Sequence, residues 1–182
     1  KLFMRGKNAG AQRSLESYLQ QYPMGAFHTN AHYYLGAIAF AEKQYKTALP
    51  HYETAIAAGD PKFLEESVAR AAEILYLQKE YEAAMKRFDQ LLQVAETPEN
   101  KEAAKLGAMR CAEQTGQFAE AVEAATALLK EAKLSPEVIS EAHYVRAKAY
   151  MGLNQEAKAL ADWKELSKDT RTAQGAEAKY RL

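Results

Sequence analysis

The chain has 182 residues, and its 24 Lys and Arg residues cancel its 24 Asp and Glu residues. That neutrality argues against a nucleic-acid partner and against a polybasic hold on an anionic membrane, because both need a face of excess positive charge. Cys111 is the only cysteine, so there is no internal disulfide framework and the redox compartment stays open, while apolar runs such as residues 37–41 are far too short to cross a bilayer.

The chain opens at Lys1 without a signal-peptide pattern, which leaves room for an export signal or lipid anchor upstream. Residues 1–5 read as the tail of one helix, and a second follows near 9–21. Pro23 then begins a series: Pro23, Pro61, Pro98 and Pro136 are separated by 38, 37 and 38 residues. Asp60, Thr97 and Ser135 precede the last three. That pairing marks a first helical turn, where a side-chain oxygen caps the backbone and the missing proline N–H costs nothing. Self-similarity at this period is the signature of a repeat array.

Each unit reads as two helices joined by a short break. First helices are predicted near 27–42, 62–78, 99–114 and 137–152, and second helices near 45–58, 81–95, 118–131 and 155–168. The breaks fall at Lys43 and Gln44, at Lys79 and Glu80, at Thr115 to Gln117, and at Leu153 and Asn154, lengths that suit antiparallel hairpins. Residues 175–182 open a further helix, so the chain reads as part of a longer array. The predicted division is a half-repeat over 1–22, repeats over about 23–60, 61–97, 98–134 and 135–171, and a half-repeat over 172–182.

Within the second helices, Ala11, Ala48, Ala84, Ala121 and Ala159 fall in register, small residues that let helices approach closely. Rings stand three positions before three of them, Tyr45, Tyr81 and Phe118, with Glu156 breaking the series. Four positions after lie Tyr52, Phe88, Ala125 and Trp163, and three further on Ala55, Leu91, Leu128 and Leu166, a stripe at helical spacing that predicts the core. Cys111, in register with Ile38, Ile74 and Ala149, is predicted to be a buried core residue. Pro50 lies about a turn into its helix and predicts a bend or a loosened first turn.

His28 and His32, four apart, share a helix face and have the spacing of a metal-binding pair, but no third ligand is evident nearby and no metal site is assigned. His51 and His143 read as isolated packing or surface residues. There is no glycine-rich phosphate loop, nucleophile elbow or Cys-x-x-Cys, so no catalytic residue and no cofactor is assigned and the chain reads as a non-enzyme.

The segment NAHYYLGAIAFAEKQYKTALPHYETAI, with Leu35 and Gly36, Tyr45, Ala48, Tyr52 and Ala55 at hallmark positions, resembles the tetratricopeptide repeat. Later units depart from it, with Ala71 and Ala72, Ala108 and Met109, and Arg146 and Ala147 in place of Leu-Gly. The resemblance, with the register, implies an all-α fold, a right-handed superhelical stack of antiparallel helix pairs, an α-solenoid. Residues 9–58, through Tyr22 and Pro23 and the run from Asn30 to Gly36, are also similar to bacterial cell-envelope members, notably the periplasmic coordinator of the Tol-Pal system and outer-membrane assembly lipoproteins. This implies an exported bacterial scaffold, periplasmic or outer-membrane-associated, with a cytoplasmic home left open.

In such arrays the first helices line the concave surface. The expected partner-binding residues are therefore Tyr33, Tyr34, Phe40, Arg70, Glu73, Tyr76, Arg110, Tyr144 and Lys148, with Arg70, Arg110 and Lys148 balanced by Glu73 and Glu113. The chaperone-binding subclass clamps a terminal carboxylate with basic and amide side chains. Here the matching series run Tyr33, Ala69, Leu106, Tyr144 and Ala37, Glu73, Arg110, Lys148, so that clamp is not reproduced. The function expected is non-catalytic binding of a protein or peptide in the groove, without nucleic acid or membrane insertion, and with end-to-end self-association as a further property. The alternatives are an accessory region of a larger enzyme and a carbohydrate- or lipid-handling receptor that uses the aromatic groove.

Overall fold

The computed structural model describes residues 2–182, with side chains from Asn8 onward. The described residues form ten helices and no strand: α1 Leu2–Gln21, α2 His28–Ala41, α3 Tyr45–Ala58, α4 Pro61–Leu77, α5 Tyr81–Val94, α6 Pro98–Thr115, α7 Phe118–Leu128, α8 Pro136–Gly152, α9 Glu156–Leu166 and α10 Ala173–Arg181. No helix among them is long and apolar enough to cross a membrane.

Three of the four periodic prolines open helices as predicted. Asn100 N–H donates to Thr97 Oγ1 at 3.3 Å, Val138 N–H to Ser135 Oγ at 3.3 Å, and Lys62 N–H to Asp60 Oδ1 at 2.9 Å. Pro23 differs. It sits in a turn before α2, where Phe27 N–H donates to the Tyr18 hydroxyl at 3.0 Å and the Tyr18 ring packs on Tyr22 and Phe27.

The hairpin breaks share one backbone device. Lys43, Lys79, Gly116 and Asn154 adopt left-handed φ angles of 61°, 63°, 70° and 56°. The next residue's N–H, from Gln44, Glu80, Gln117 and Gln155, then donates to Ala39, Leu75, Ala112 and Tyr150 O at 2.8–2.9 Å. This six-to-one bond is the Schellman closure, which satisfies a carbonyl orphaned at the helix end. Only Gly116 is the residue that conformation favours.

The helices pair antiparallel across these turns. In α2 and α3, Tyr33 meets Tyr52 and Phe40 meets Tyr45; in α8 and α9, Tyr144 meets Trp163 and Tyr150 meets Lys158, one index rising as the other falls. Within each unit, successive first helices run parallel instead. Tyr33 meets Phe63 and Phe40 meets Arg70 between α2 and α4, each 30 residues apart; Arg110 meets Glu141 and Glu113 meets Lys148 between α6 and α8.

The chain divides into two compact units, Lys1–Ile74 and Leu75–Leu182. The first builds its core from Ala39, Ala48, Tyr52, Ala71 and Ile74. The second has one cluster around Met109, Ala121, Leu128 and Val145, and another around Ala147, Ala159, Trp163 and Ala178. Ala48, Ala84, Ala121 and Ala159 are all essentially inaccessible, as their register requires. Cys111 is fully buried, and burial pushes its thiol up to about 12, so it stays a small core hydrophobe at neutral pH.

Several expectations need correction. The expected break between residues 5 and 9 does not exist, because α1 is one continuous 20-residue helix; that stretch holds glycine but no proline, and one glycine costs a helix only about 1 kcal/mol. Residue 1 lies outside the described residues. Ala11 is exposed; among the described residues, α1 packs on α2. Pro50 falls inside α3 about a turn from its start, as expected, with its ring on the exposed side of the helix. The ring series at Tyr45, Tyr81 and Phe118 is not core: the two tyrosines are half-buried and Phe118 is 40% exposed. These residues open their helices, so one side of each ring faces the hairpin turn and solvent.

Candidate partner-binding face

In the first unit, α2 and α4 carry five of the expected binding residues. Tyr33 packs on Phe63 with ring centres 4.6 Å apart and lies 6.3 Å from Tyr52; Phe40 packs on Tyr45 at 5.6 Å. Both therefore serve the packing of the unit. Tyr34, one residue on, meets the Tyr33 ring edge-on at 5.2 Å and lies 6.1 Å from Phe63, yet it is 46% exposed. With Leu15, Ala37, Ile38 and Ala41 it lines a largely apolar cleft of about 570 Å³ between α1 and α2.

Arg70 lies 4.9 Å over the Phe40 ring, donates to Glu66 at 2.8 Å and donates to Glu73 at 2.9 Å. Half-burial works against its charge, but the two carboxylates more than offset this and hold its pKa above the ordinary value. Both of its acidic partners sit on its own helix, three and four residues away, where helical neighbours meet.

In the second unit, Arg110 of α6 makes a two-pronged pair with Glu141 of α8, Nε donating at 2.6 Å and an Nη at 2.7 Å. Lys148 donates to Glu113 at 2.6 Å and lies 5.2 Å over the Tyr144 ring. The Tyr144 hydroxyl donates to Glu177 of α10 at 2.8 Å. Tyr76, half-buried, meets Tyr81 edge-on at 5.5 Å. In each unit, every cation expected to meet a partner is thus neutralised by a carboxylate. The contacts left for a partner are phenol rings, their hydroxyls and aliphatic stems, with Tyr34 and Lys148 the most accessible.

Two side-chain groupings were not foreseen. Asp162 of α9, 2% exposed, accepts from Arg146 Nε at 2.9 Å and Nη2 at 2.7 Å, and lies 2.7 Å from His143 Nδ1. Arg146 also donates to Thr126 of α7 at 3.2 Å, so one buried carboxylate organises three helices. Burial alone would push Asp162 up, but the bonds from His143 and Arg146 outweigh it and hold the carboxyl below 3.8. His143 is therefore not isolated.

Nor is His51. Its Nδ1 lies 2.9 Å from Nδ1 of His32, and the His32 ring lies 4.5 Å from that of His28. Burial and the imidazoles of His51 and His28 push His32 down to about 4; burial also lowers His51, opposed by Glu16 of α1. Nothing in the spacing of residues 32 and 51 could have revealed this contact, which depends on how α2 and α3 are rotated about their axes. Among the described residues, no group of three or more His, Cys, Asp and Glu side chains gathers to hold a metal.

Comparison with known proteins agrees with the helix-pair architecture. The model of the tetratricopeptide repeat matches residues 2–62 and 106–169. No curated protein sequence matches. Among solved structures, YrrB, described as a tetratricopeptide protein with an unusual peptide-binding site, is similar over 98% of this chain and 88% of its own, at 17% identity and a TM-score of 0.71. The tetratricopeptide-like repeats of a putative kinesin light chain from Podosopora anserina match over 98% of this chain and 90% of theirs, at 16% identity and a TM-score of 0.58. The tetratricopeptide domain of P58(IPK) matches over 98% of this chain and 51% of its own, at 15% identity and a TM-score of 0.51.

Proposed function

Because this chain belongs to the tetratricopeptide repeat family, we propose that it is a non-catalytic scaffold that holds a peptide or a partner protein against its first-helix faces. The observation that carries this reading is the division of labour between helices. The second helices bury Tyr52, Phe88 and Trp163, whereas the first helices keep Tyr34, Tyr76 and Tyr144 at least partly accessible.

Since Arg70, Arg110 and Lys148 are already paired, a ligand gains little from negative charge. It gains from aromatic and aliphatic side chains that cover the tyrosines, the anchor chemistry that dominates interface energetics. The similarity to a protein with a peptide-binding site supports the same reading. A place in a bacterial cell envelope is part of the proposal, and the resemblance of residues 9–58 supports it.

The test is selection from a random peptide library on the whole chain, followed by binding measurements on Tyr34→Ala, Tyr76→Ala and Tyr144→Ala. Selected peptides are expected to carry aromatic or aliphatic anchors and to lose at least tenfold in affinity on one or more of these variants. Lys130→Ala, exposed after α7, should bind as the parent does. Peptides that ignore all three tyrosines but lose affinity on Lys130→Ala would move the binding face elsewhere.

A further inference from the structure

His32 of α2 and His51 of α3 meet head-on across the hairpin, Nδ1 to Nδ1 at 2.9 Å with ring centres 5.0 Å apart. One Nδ1 carries a proton and donates it, and the other accepts through its lone pair. We propose that this pair is a proton-sensitive latch, which holds α3 on α2 while the accepting nitrogen is bare and releases it when that nitrogen takes a proton.

The geometry carries the proposal. A first proton can seat on the outer Nε2 of the donating ring, and it leaves the N–H···N bond in place as a charge-assisted one. A second proton must go onto the accepting Nδ1. Two N–H groups then face each other at 2.9 Å, two like charges share a partly buried site, and neither donor has an acceptor, so the rings must part. The adjoining layer is tied to the pair: Tyr33 lies 6.3 Å from Tyr52 across the same two helices, and Tyr34 lies 5.2 Å from Tyr33. Where Tyr34 holds a partner, as proposed for the first-helix face, acid weakens that hold; this consequence rests on that function, and the latch itself does not.

The neighbouring charges set the order of the two protons. On α2 the His28 ring stands 4.5 Å from that of His32 and, with His51, opposes charge there, whereas Glu16 of α1 favours charge on His51. His51 is therefore the donor that charges first, and His32 is the acceptor, pushed down to about 4. The charged groups of α4 nearest these helices, Glu66, Arg70 and Glu73, pair with one another and act on Tyr33 and Tyr52. Once the rings part, His32 regains its ordinary value of 6.5, so the open form binds the proton that the closed form refuses. Closure is fully favoured above 6.5 and is lost as pH falls from there toward about 4, by up to about tenfold per pH unit.

The test is nuclear magnetic resonance on the whole chain with nitrogen-15-labelled histidine, together with amide hydrogen exchange, from about pH 7.5 to about pH 5, above the range in which Asp162 acts. The expected result at the upper end is a scalar coupling between the two Nδ1 nuclei across the hydrogen bond. On acidification the coupling disappears and the opening equilibrium reported by the α2 and α3 amides rises by about tenfold or more, while that of α5 and α6 does not. In the double variant His32→Asn with His51→Asn, whose amides can still bond to each other but cannot titrate, opening of α2 and α3 should change by less than about threefold over the same range. Absence of the coupling at the upper end would overturn the proposal, as would two histidines that each titrate near the ordinary 6.5 with α3 protection unchanged, or an equal loss of protection in the double variant. The parent spectra decide the matter even where the double variant fails to fold.

Discussion

Phe88 of α5 lies so close over Gly107 of α6 that a Cβ built on the glycine would stand 2.3 Å from ring carbon Cε1. This glycine is therefore a packing residue, and its helix accepts a poor helix former so that the aromatic can be buried. Phe118 is seated in the same way over Gly152, at 2.6 Å, which accounts for a ring that is 40% exposed yet held.

Replacing Gly107 by Ala should destabilise the protein, because a buried ring must move. Overpacking costs about 1–3 kcal/mol, and the gain in helix propensity, about 1 kcal/mol, only partly offsets it. Among the described residues, nothing lies within 4 Å of the Cβ position of Gly10 in α1, so Gly10→Ala should stabilise by up to about 1 kcal/mol. Urea unfolding of the two variants should shift the midpoint in opposite directions; a shift of the same sign in both would contradict the packing argument.

Lys79 holds φ 63° at the hairpin between α4 and α5, where its Cβ is strained and its side chain is exposed. Relief of left-handed strain is worth about 1–2 kcal/mol, and the extra freedom of glycine in the unfolded chain takes back part of it. Lys79→Gly is therefore expected to raise stability by about 0.5–1 kcal/mol, and Gly116→Ala, at φ 70°, to lower it by a similar amount. Thermal melts of both decide this, and a loss of stability in Lys79→Gly would show that the side chain contributes more than the strain costs.

Asp162 links stability to pH. Its folded pKa lies below the ordinary 3.8, so its contribution is fully present above that value and is lost as pH falls through the lower, folded pKa. The unfolding free energy of the parent should fall more steeply below about pH 4 than that of Asp162→Asn, which cannot titrate there. At neutral pH, Asp162→Ala strands Arg146 without its partner and should cost about 3–5 kcal/mol. Denaturant midpoints from pH 2 to pH 7 separate the two effects, and parallel pH profiles would exclude Asp162 as the source.

Ala121 is 1% exposed and packs among Met109, Leu128 and Val145. Ala121→Leu should cost about 1–3 kcal/mol by overpacking, as should Ala84→Leu at the equivalent buried position. Ala11→Leu, at the exposed position of the same register, should change stability by less than about 0.5 kcal/mol. Equal effects at all three sites would remove the register as the reason for alanine.

Features set within a few residues of each other were legible in the sequence. The prolines behind Asp60, Thr97 and Ser135 mark helix starts because capping acts over three residues, and the stripe through Ala48, Tyr52 and Ala55 marks a buried face because a helix returns to the same side every three or four residues. The core position of Cys111 follows from the same periodicity. Only the tertiary structure decided which polar groups meet. Arg110 finds Glu141 at 31 residues' distance, Asp162 is taken from an apparently charged helix face into the interior, and His51 turns onto His32 rather than to solvent. Periodicity tells which side of a helix faces inward, whereas these contacts depend on the rotation and axial offset of neighbouring helices to within an ångström or so. That alignment comes from side-chain packing between helices, and no local spacing encodes it.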